Sequence, residues 1–199
     1  MRVINLANKK ISDDSLPYII AEVGANHQGD VTKCKKLIDA AKESGVDAVK
    51  LQKRNNKTFF HPTQFDQIYD NPNSFGKTYG LHREYLEFNK DEWIEIFEYA
   101  NKKDLTIFST AFDIESADFL EEIGNPIYKL PSGALNNIPL IEHIASFGKP
   151  MIISTGGGTI EDVDRAHESL SKYDIEYTIL QCTSGYPVEW DELNLNVIN

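Results

Sequence analysis

An α/β fold of the (β/α) TIM-barrel type, with about six of its eight strands present, is what this sequence predicts. Three observations carry that prediction. Short β-branched runs alternate with amphipathic stretches of 10–15 residues along the 199-residue chain, the pattern of repeated βαβ units around a parallel sheet. No G-x-G-x-x-G follows the first run, which disfavours a dinucleotide-binding open sheet. Polar side chains recur at the C-terminal ends of successive runs (Glu22, Lys50 and Gln52, Ser109 and Thr110, Lys129 and Ser132, Ser154, Thr183 and Ser184), the positions that share one mouth in a barrel.

The elements follow in order. Residues 18–23 (YIIAEV) form the first predicted strand, and 31–44 the first helix, with Val31, Cys34, Leu37, Ile38 and Ala41 on one face and Gly45 ending it. Strand two is 48–52. Helix two is 91–103, built on Trp93, Ile94, Ile96, Phe97 and Ala100. Strand three is 105–110 and helix three 114–123, stopped by Gly124; strand four is 126–130 and helix four 138–147, stopped by Gly148. Strand five is 150–155, helix five 159–173 and strand six 177–183, with the start of a sixth helix at 194–199. The whole of 1–199 is expected to be one partial barrel domain, cut short at its C-terminus, since two strands are missing. Residues 53–90 break the rhythm. A connection of this length is functional or disordered as a rule, and its aromatics (Phe59, Phe60, Phe65, Tyr69, Phe75, Tyr79, Tyr85) argue for order. It is expected to be an active-site cover.

Composition narrows the function. Hydrophobic residues make up 41% and charged residues 26%, as in a soluble globular chain. No apolar run approaches the ~20 residues that span a bilayer, so no membrane association is expected. The net charge of −11 is the wrong sign for a nucleic-acid binder. An acidic protein binds an anion only through a local cluster of cations or helix N-termini. Cys34 and Cys182 lack metal-ligand spacing and are expected to be reduced thiols of a cytoplasmic protein.

Two placed cations stand out. Lys50 and Lys129 interrupt apolar strands, where a lysine pays for desolvation unless it is paired. Either they snorkel outward, or they bind the phosphate and carboxylate of a small acid. Thr110, Ser132 and Ser154 at neighbouring strand ends supply hydroxyl donors for the second alternative. Glu22 is a base, a metal partner or simply a counter-ion for Lys50. His27 follows in the loop, where a lone histidine is more often on the surface than a ligand; His61, His82, His143 and His167 have no metal spacing and are taken as surface or structural. Gly156–Gly158, directly after Ser154, could expose N–H groups to a phosphate. Tyr186 is either a sugar-stacking ring or a packed loop residue. Residue chemistry alone reaches a barrel that binds a small phosphorylated acid, and no further.

At these residues the chain resembles the N-acetylneuraminate (sialic acid) synthase family. The matching stretches are AEVGANHQGD (21–30), VKLQK (49–53), GKTYGLHREYLEF (76–88), FSTAFD (108–113), YKLPSGALNN (128–137), GKPMIISTGGG (148–158), LQCTSGYP (180–187) and NLNVI (194–198). The resemblance implies a transferase that condenses phosphoenolpyruvate with N-acetylmannosamine or a related N-acetylated amino sugar, releasing phosphate. It implies that Lys129, Ser132, Ser154 and Ser184 hold the phosphate and Lys50 and Thr110 the carboxylate. Gln52 and Tyr186 would contact the sugar, and Glu22 would act near the reacting centre. It also implies a divalent cofactor, manganese or magnesium, and a homodimer. Two departures are visible. Ala134 stands where the family has an acidic residue. The family's metal-ligating histidines and its C-terminal antifreeze-like domain would lie beyond residue 199, so the metal ligands are expected outside this chain. The chain by itself is then expected to bind substrate without turning it over. Legionaminic, pseudaminic or octulosonate-phosphate synthases, or a non-catalytic phosphoenolpyruvate-binding module, are the alternatives.

Overall fold

The computed structural model describes residues 3–198. The chain divides into two units, Pro17–Asn125 and a second made of Met1–Leu16 with Pro126–Asn199. Each builds half of the predicted strand–helix alternation.

In the first unit, strand β3 (Ile20–Gly24) pairs in parallel with β4 (Ala48–Lys53), and β4 with β5 (Thr106–Ala111). Helix α1 (Val31–Glu43) packs Cys34, Ile38 and Ala41 inward. The Asp30 carboxylate caps it by accepting the Lys33 N–H, which satisfies one of the orphan donors of its first turn. Helix α5 (Lys90–Lys102) opens on a reciprocal capping box between Asn89 and Glu92 and buries Trp93, Ile96, Phe97 and Ala100. Helix α6 (Ile114–Glu122) is capped by Asp113. Between the helices, Val49, Leu51, Ile107 and Phe108 are fully buried, as strands covered on a helix layer require.

In the second unit, β6 (Tyr128–Leu130), β7 (Met151–Ser154) and β8 (Tyr177–Leu180) form a parallel ladder. Helices α7 (Ile138–Ala145) and α8 (Ile160–Leu170) alternate with them. The six parallel strands expected from the sequence are therefore all present, three in each unit, and the fold class is α/β as predicted.

Three features differ from expectation. An antiparallel hairpin, β1 (Val3–Leu6) and β2 (Lys9–Ser12), precedes the first parallel strand. Its two-residue turn puts Ala7 at φ 50°, a conformation that hairpins usually assign to Gly or Asn, so the sequence carries no turn signal. The 53–90 connection holds three short helices, α2 (Asn56–Phe59), α3 (Pro62–Phe65) and α4 (Tyr79–Leu86). The helix expected at 194–199 is a single 3₁₀ turn, Leu195–Ile198, and Asn199 lies outside the described residues. No helix among them is long and apolar enough to cross a membrane.

Candidate functional site

The strand ends of the first unit gather four of the predicted site residues. Parallel register sets Glu22 beside Lys50 and Gln52 beside Thr110. Lys50 does not snorkel outward: its side chain is 12% exposed, pairs with the Glu22 carboxylate and donates to Thr110 Oγ1 at 3.2 Å. Gln52, two residues along and on the same face, donates Nε2 to Glu22 Oε1 at 3.2 Å. Its other amide atom, Oε1, accepts from Arg54 Nη2 at 2.9 Å. Gly24 makes room for this row, because a Cβ there would lie 3.0 Å from Glu22 Oε1. One hydrogen-bonded line thus runs Thr110–Lys50–Glu22–Gln52–Arg54.

His27 is not the surface residue expected from its place in a loop. It is buried and stacked on Phe88 at 4.1 Å between ring centroids. Its Nδ1 accepts the Gly29 N–H at 3.1 Å. Burial holds the imidazole down to about 4, opposed by a hydrogen bond to the Gly24 backbone. The neutral ring therefore carries its proton on Nε2 and ties the loop shut. His82 is also buried, its Nδ1 accepting the Phe75 N–H at 3.1 Å, in line with a structural role.

The strand ends of the second unit gather the remaining anion-binding candidates. Lys129 is almost fully buried between Tyr128 and Leu130, and its ammonium donates to Ser154 Oγ at 2.5 Å and to the Leu130 carbonyl at 2.8 Å. Ser132 opens a 3₁₀ turn, and its Oγ accepts the Gly156 N–H at 3.0 Å. A Cβ on Gly156 would sit 2.8 Å from Ser184 Oγ and 3.0 Å from Ser132 Oγ. Glycine is thus required there by space, and the hydroxyls of Ser132 and Ser184 converge on its backbone. Ammonium, hydroxyls and glycine backbone are the donor types that cradle a phosphate. Ala134 is buried in the same turn and brings no charge. Tyr186 stands fully exposed after β8 and packs on none of these residues.

Sequence inspection passed over Arg54, which the structure joins to Gln52. Arg54 lies two residues beyond Gln52 on the strand's polar face, and that spacing was the available signal. Among the described residues no three His, Cys, Asp or Glu side chains come together to hold a metal ion. His27 Nδ1 already accepts the Gly29 N–H. The divalent ion implied by resemblance does not fit the residues present.

Residues 37–199 match the model of the NeuB family. The N-acetylneuraminate-9-phosphate synthase of Homo sapiens is 36% identical over 182 residues, 92% of this chain and 51% of that protein. The N,N'-diacetyllegionaminic acid synthase of Legionella pneumophila is 36% identical over 187 residues, 91% of this chain and 52% of that protein. A crystal structure of N-acetylneuraminic acid (sialic acid) synthetase from Leptospira borgpetersenii, in complex with citrate, superposes with a TM-score of 0.85 at 30% identity, covering 99% of this chain and 65% of that one. The chain spans about half the length of the curated relatives it matches. The extent of the family match makes this chain a member of the NeuB family, and relatives named as sialic-acid and legionaminic-acid synthases are among those it resembles.

Proposed function

We propose that this chain carries the phosphoenolpyruvate-binding portion of a nonulosonate synthase, which condenses phosphoenolpyruvate with N-acetylmannosamine or a related N-acetylated amino sugar. The observation that carries it is a strand-end lysine joined to a hydroxyl in each unit, Lys50 to Thr110 in one and Lys129 to Ser154 in the other. Lys129, Ser132, Ser154 and Ser184 take the phosphoryl group, and Lys50 and Thr110 the carboxylate. Gln52 and Tyr186 contact the sugar, and Glu22 acts near the reacting centre. The citrate in the Leptospira relative's crystal, a carboxylate-rich anion, accords with such a site. The protein is a homodimer in this proposal.

The chemistry joins the phosphoenolpyruvate methylene carbon to the aldehyde carbon of the open-chain sugar. Water then adds at the enol carbon and phosphate leaves. Fixed ammonium and hydroxyl donors aimed at the phosphoryl oxygens stabilise the departing charge. Glu22 is the carboxylate available to move a proton, once Lys50 is engaged by substrate. A divalent ion, when bound, would polarise the aldehyde oxygen; among the described residues no three candidate ligands come together to hold one. A second reading is that 1–199 alone binds phosphoenolpyruvate without turnover.

Changing Lys50 or Lys129 to Met removes a charge-assisted contact of about 1.5–3 kcal/mol. Calorimetry with phosphoenolpyruvate is expected to show binding weaker by about tenfold or more for K50M and for K129M. Parent-like affinity in both variants would make the lysines structural and place the site elsewhere.

A further inference from the structure

His27 is only 3% exposed, at a place where an apolar side chain would fill the space without desolvating two ring nitrogens. Those nitrogens serve the turn between β3 and α1. Nδ1 accepts the Gly29 N–H at 3.1 Å, and the ring makes a further hydrogen bond to the Gly24 backbone. Gly24 and Gly29 are the two ends of that turn. Together with Gln28 they have left-handed backbones, at φ 54°, 71° and 56°, a conformation that costs a non-glycine residue about 1–2 kcal/mol. Asn26 fastens the first half, its N–H and Nδ2 both donating to the Val23 carbonyl at 3.0 and 3.1 Å. His27 fastens the whole.

What the turn sets is Glu22. The register between β3 and β4 shifts between Glu22 and Gly24, and a bulge of this kind re-aims the side chain beside it. The Gly24 backbone forms a wall against the carboxylate: a Cβ there would lie 3.0 Å from Glu22 Oε1 and 3.5 Å from Gln52 Nε2. The outer side of the turn meets the end of the 53–90 cover. The His27 ring stacks on Phe88 at 4.1 Å and 26°. Gly29 lies so near α4 that a Cβ there would be 2.3 Å from the Tyr85 carbonyl oxygen.

Resting on the synthase proposal above for the role of Glu22, we infer that His27 is a positioning residue. Hydrogen-bonded across the 24–29 turn and stacked on the exit of the cover, it holds the Gly24 bulge that lays the Glu22 carboxylate on Lys50 and Gln52. It acts on Glu22 through Gly24. Movement of the cover at Phe88 slackens the turn, so the placement of Glu22 follows the closure of the cover.

The test is a double-mutant cycle on the full chain, read by urea denaturation. E22Q strips Lys50 of its partner and is expected to lower the folded-to-unfolded ratio of the parent by about tenfold. In H27F, which keeps a ring to stack and drops both nitrogens, E22Q is expected to lower it by about threefold or less. H27Q puts an amide nitrogen near the place of Nε2, and H27N an amide oxygen near that of Nδ1. At least one of them is expected to restore the larger effect, a rescue that filling the space would not give. H27L repeats the cycle if H27F does not fold. An E22Q effect of equal size in the parent and in H27F overturns the inference, and so does failure of both amide variants to restore it. Calorimetry with phosphoenolpyruvate keeps the two proposals apart. H27F is expected to shift its affinity by about threefold or more in the parent and by less than about twofold in E22Q. An equal shift in the two backgrounds counts against the inference as an additive urea cycle does. Failure of phosphoenolpyruvate to bind the parent would sink the synthase proposal and leave the urea cycle to decide the positioning, whereas normal binding with an additive cycle would sink only this inference.

Discussion

His27 shows how much chemistry a single residue hides from its sequence context. In the chain it is one histidine in a glycine-containing loop, and nothing nearby in sequence names Phe88, some sixty positions on, as the ring it stacks against. Lys50 and Lys129 were legible because a lysine inside an apolar strand is costly wherever it points. His27 was not, because a histidine is tolerated both wet and dry. Its burial has a consequence for pH. The folded imidazole titrates near 4, whereas an unfolded one titrates near 6.5. Between those values the unfolded chain holds a proton that the folded chain does not, so stability rises with pH across that window and is lost on acidification. The loss from this residue between pH 7 and pH 5 is about 2 kcal/mol. Urea denaturation at the two pH values is expected to show that difference in the parent and a smaller one in H27Q. Equal slopes in the two proteins would assign the acid sensitivity to other groups.

Elements were legible in proportion to their period. The parallel strands and the helices of nine or more residues announce themselves by β-branched runs and by 3.6-residue spacing, and each was placed within a few residues. Helices α2 and α3 have four residues each, too few for a period to register. Helix α4 is masked by Gly80 at its second position, which reads as a break. The structure explains that glycine: a Cβ there would lie 2.2 Å from the Phe65 ring, which packs α3 directly on the α4 backbone. Replacing Gly80 by Ala gains about 1 kcal/mol of helix propensity, but overpacking costs about 1–3 kcal/mol. With three ring atoms inside 2.5 Å, overpacking wins. G80A is expected to loosen the cover, seen as faster proteolysis within 53–90 with the rest of the chain still protected. A G80A chain as resistant as the parent would show that Phe65 has room to move.

At the scale of the whole molecule, the order of motifs along the chain was the most informative signal, and it led to the right family before any geometry was known. Association was not legible there, because it depends on which surfaces stay uncovered. Among the described residues of the second unit β8 pairs with β7 alone, and Ile160, Trp190, Leu195, Val197 and Ile198 are all more than half exposed. An open strand edge beside exposed apolar side chains is a template for pairing. This chain is expected to self-associate as its concentration rises, with light scattering giving a mass above 22.5 kDa. A monodisperse monomer at high concentration would mean that the edge is protected by its twist and charge.

The ion pair between Glu22 and Lys50 has one more consequence. Any carboxylate that reaches Lys50 competes with a resident one, so loading the site is an exchange of anions rather than the filling of an empty socket. The incoming acid gains only the difference between its own attraction and that of Glu22, which caps affinity. In return, displacement turns Glu22 loose as a free carboxylate at the moment the substrate is in place. In the proposed mechanism the proton acceptor is thus kept sheathed until it is needed. E22Q removes the competitor and the acceptor together. It is expected to bind phosphoenolpyruvate about as tightly as the parent or tighter, by up to about tenfold, and in the intact protein to lose turnover. Weaker binding in E22Q would mean that Glu22 organises Lys50 instead of contending for it.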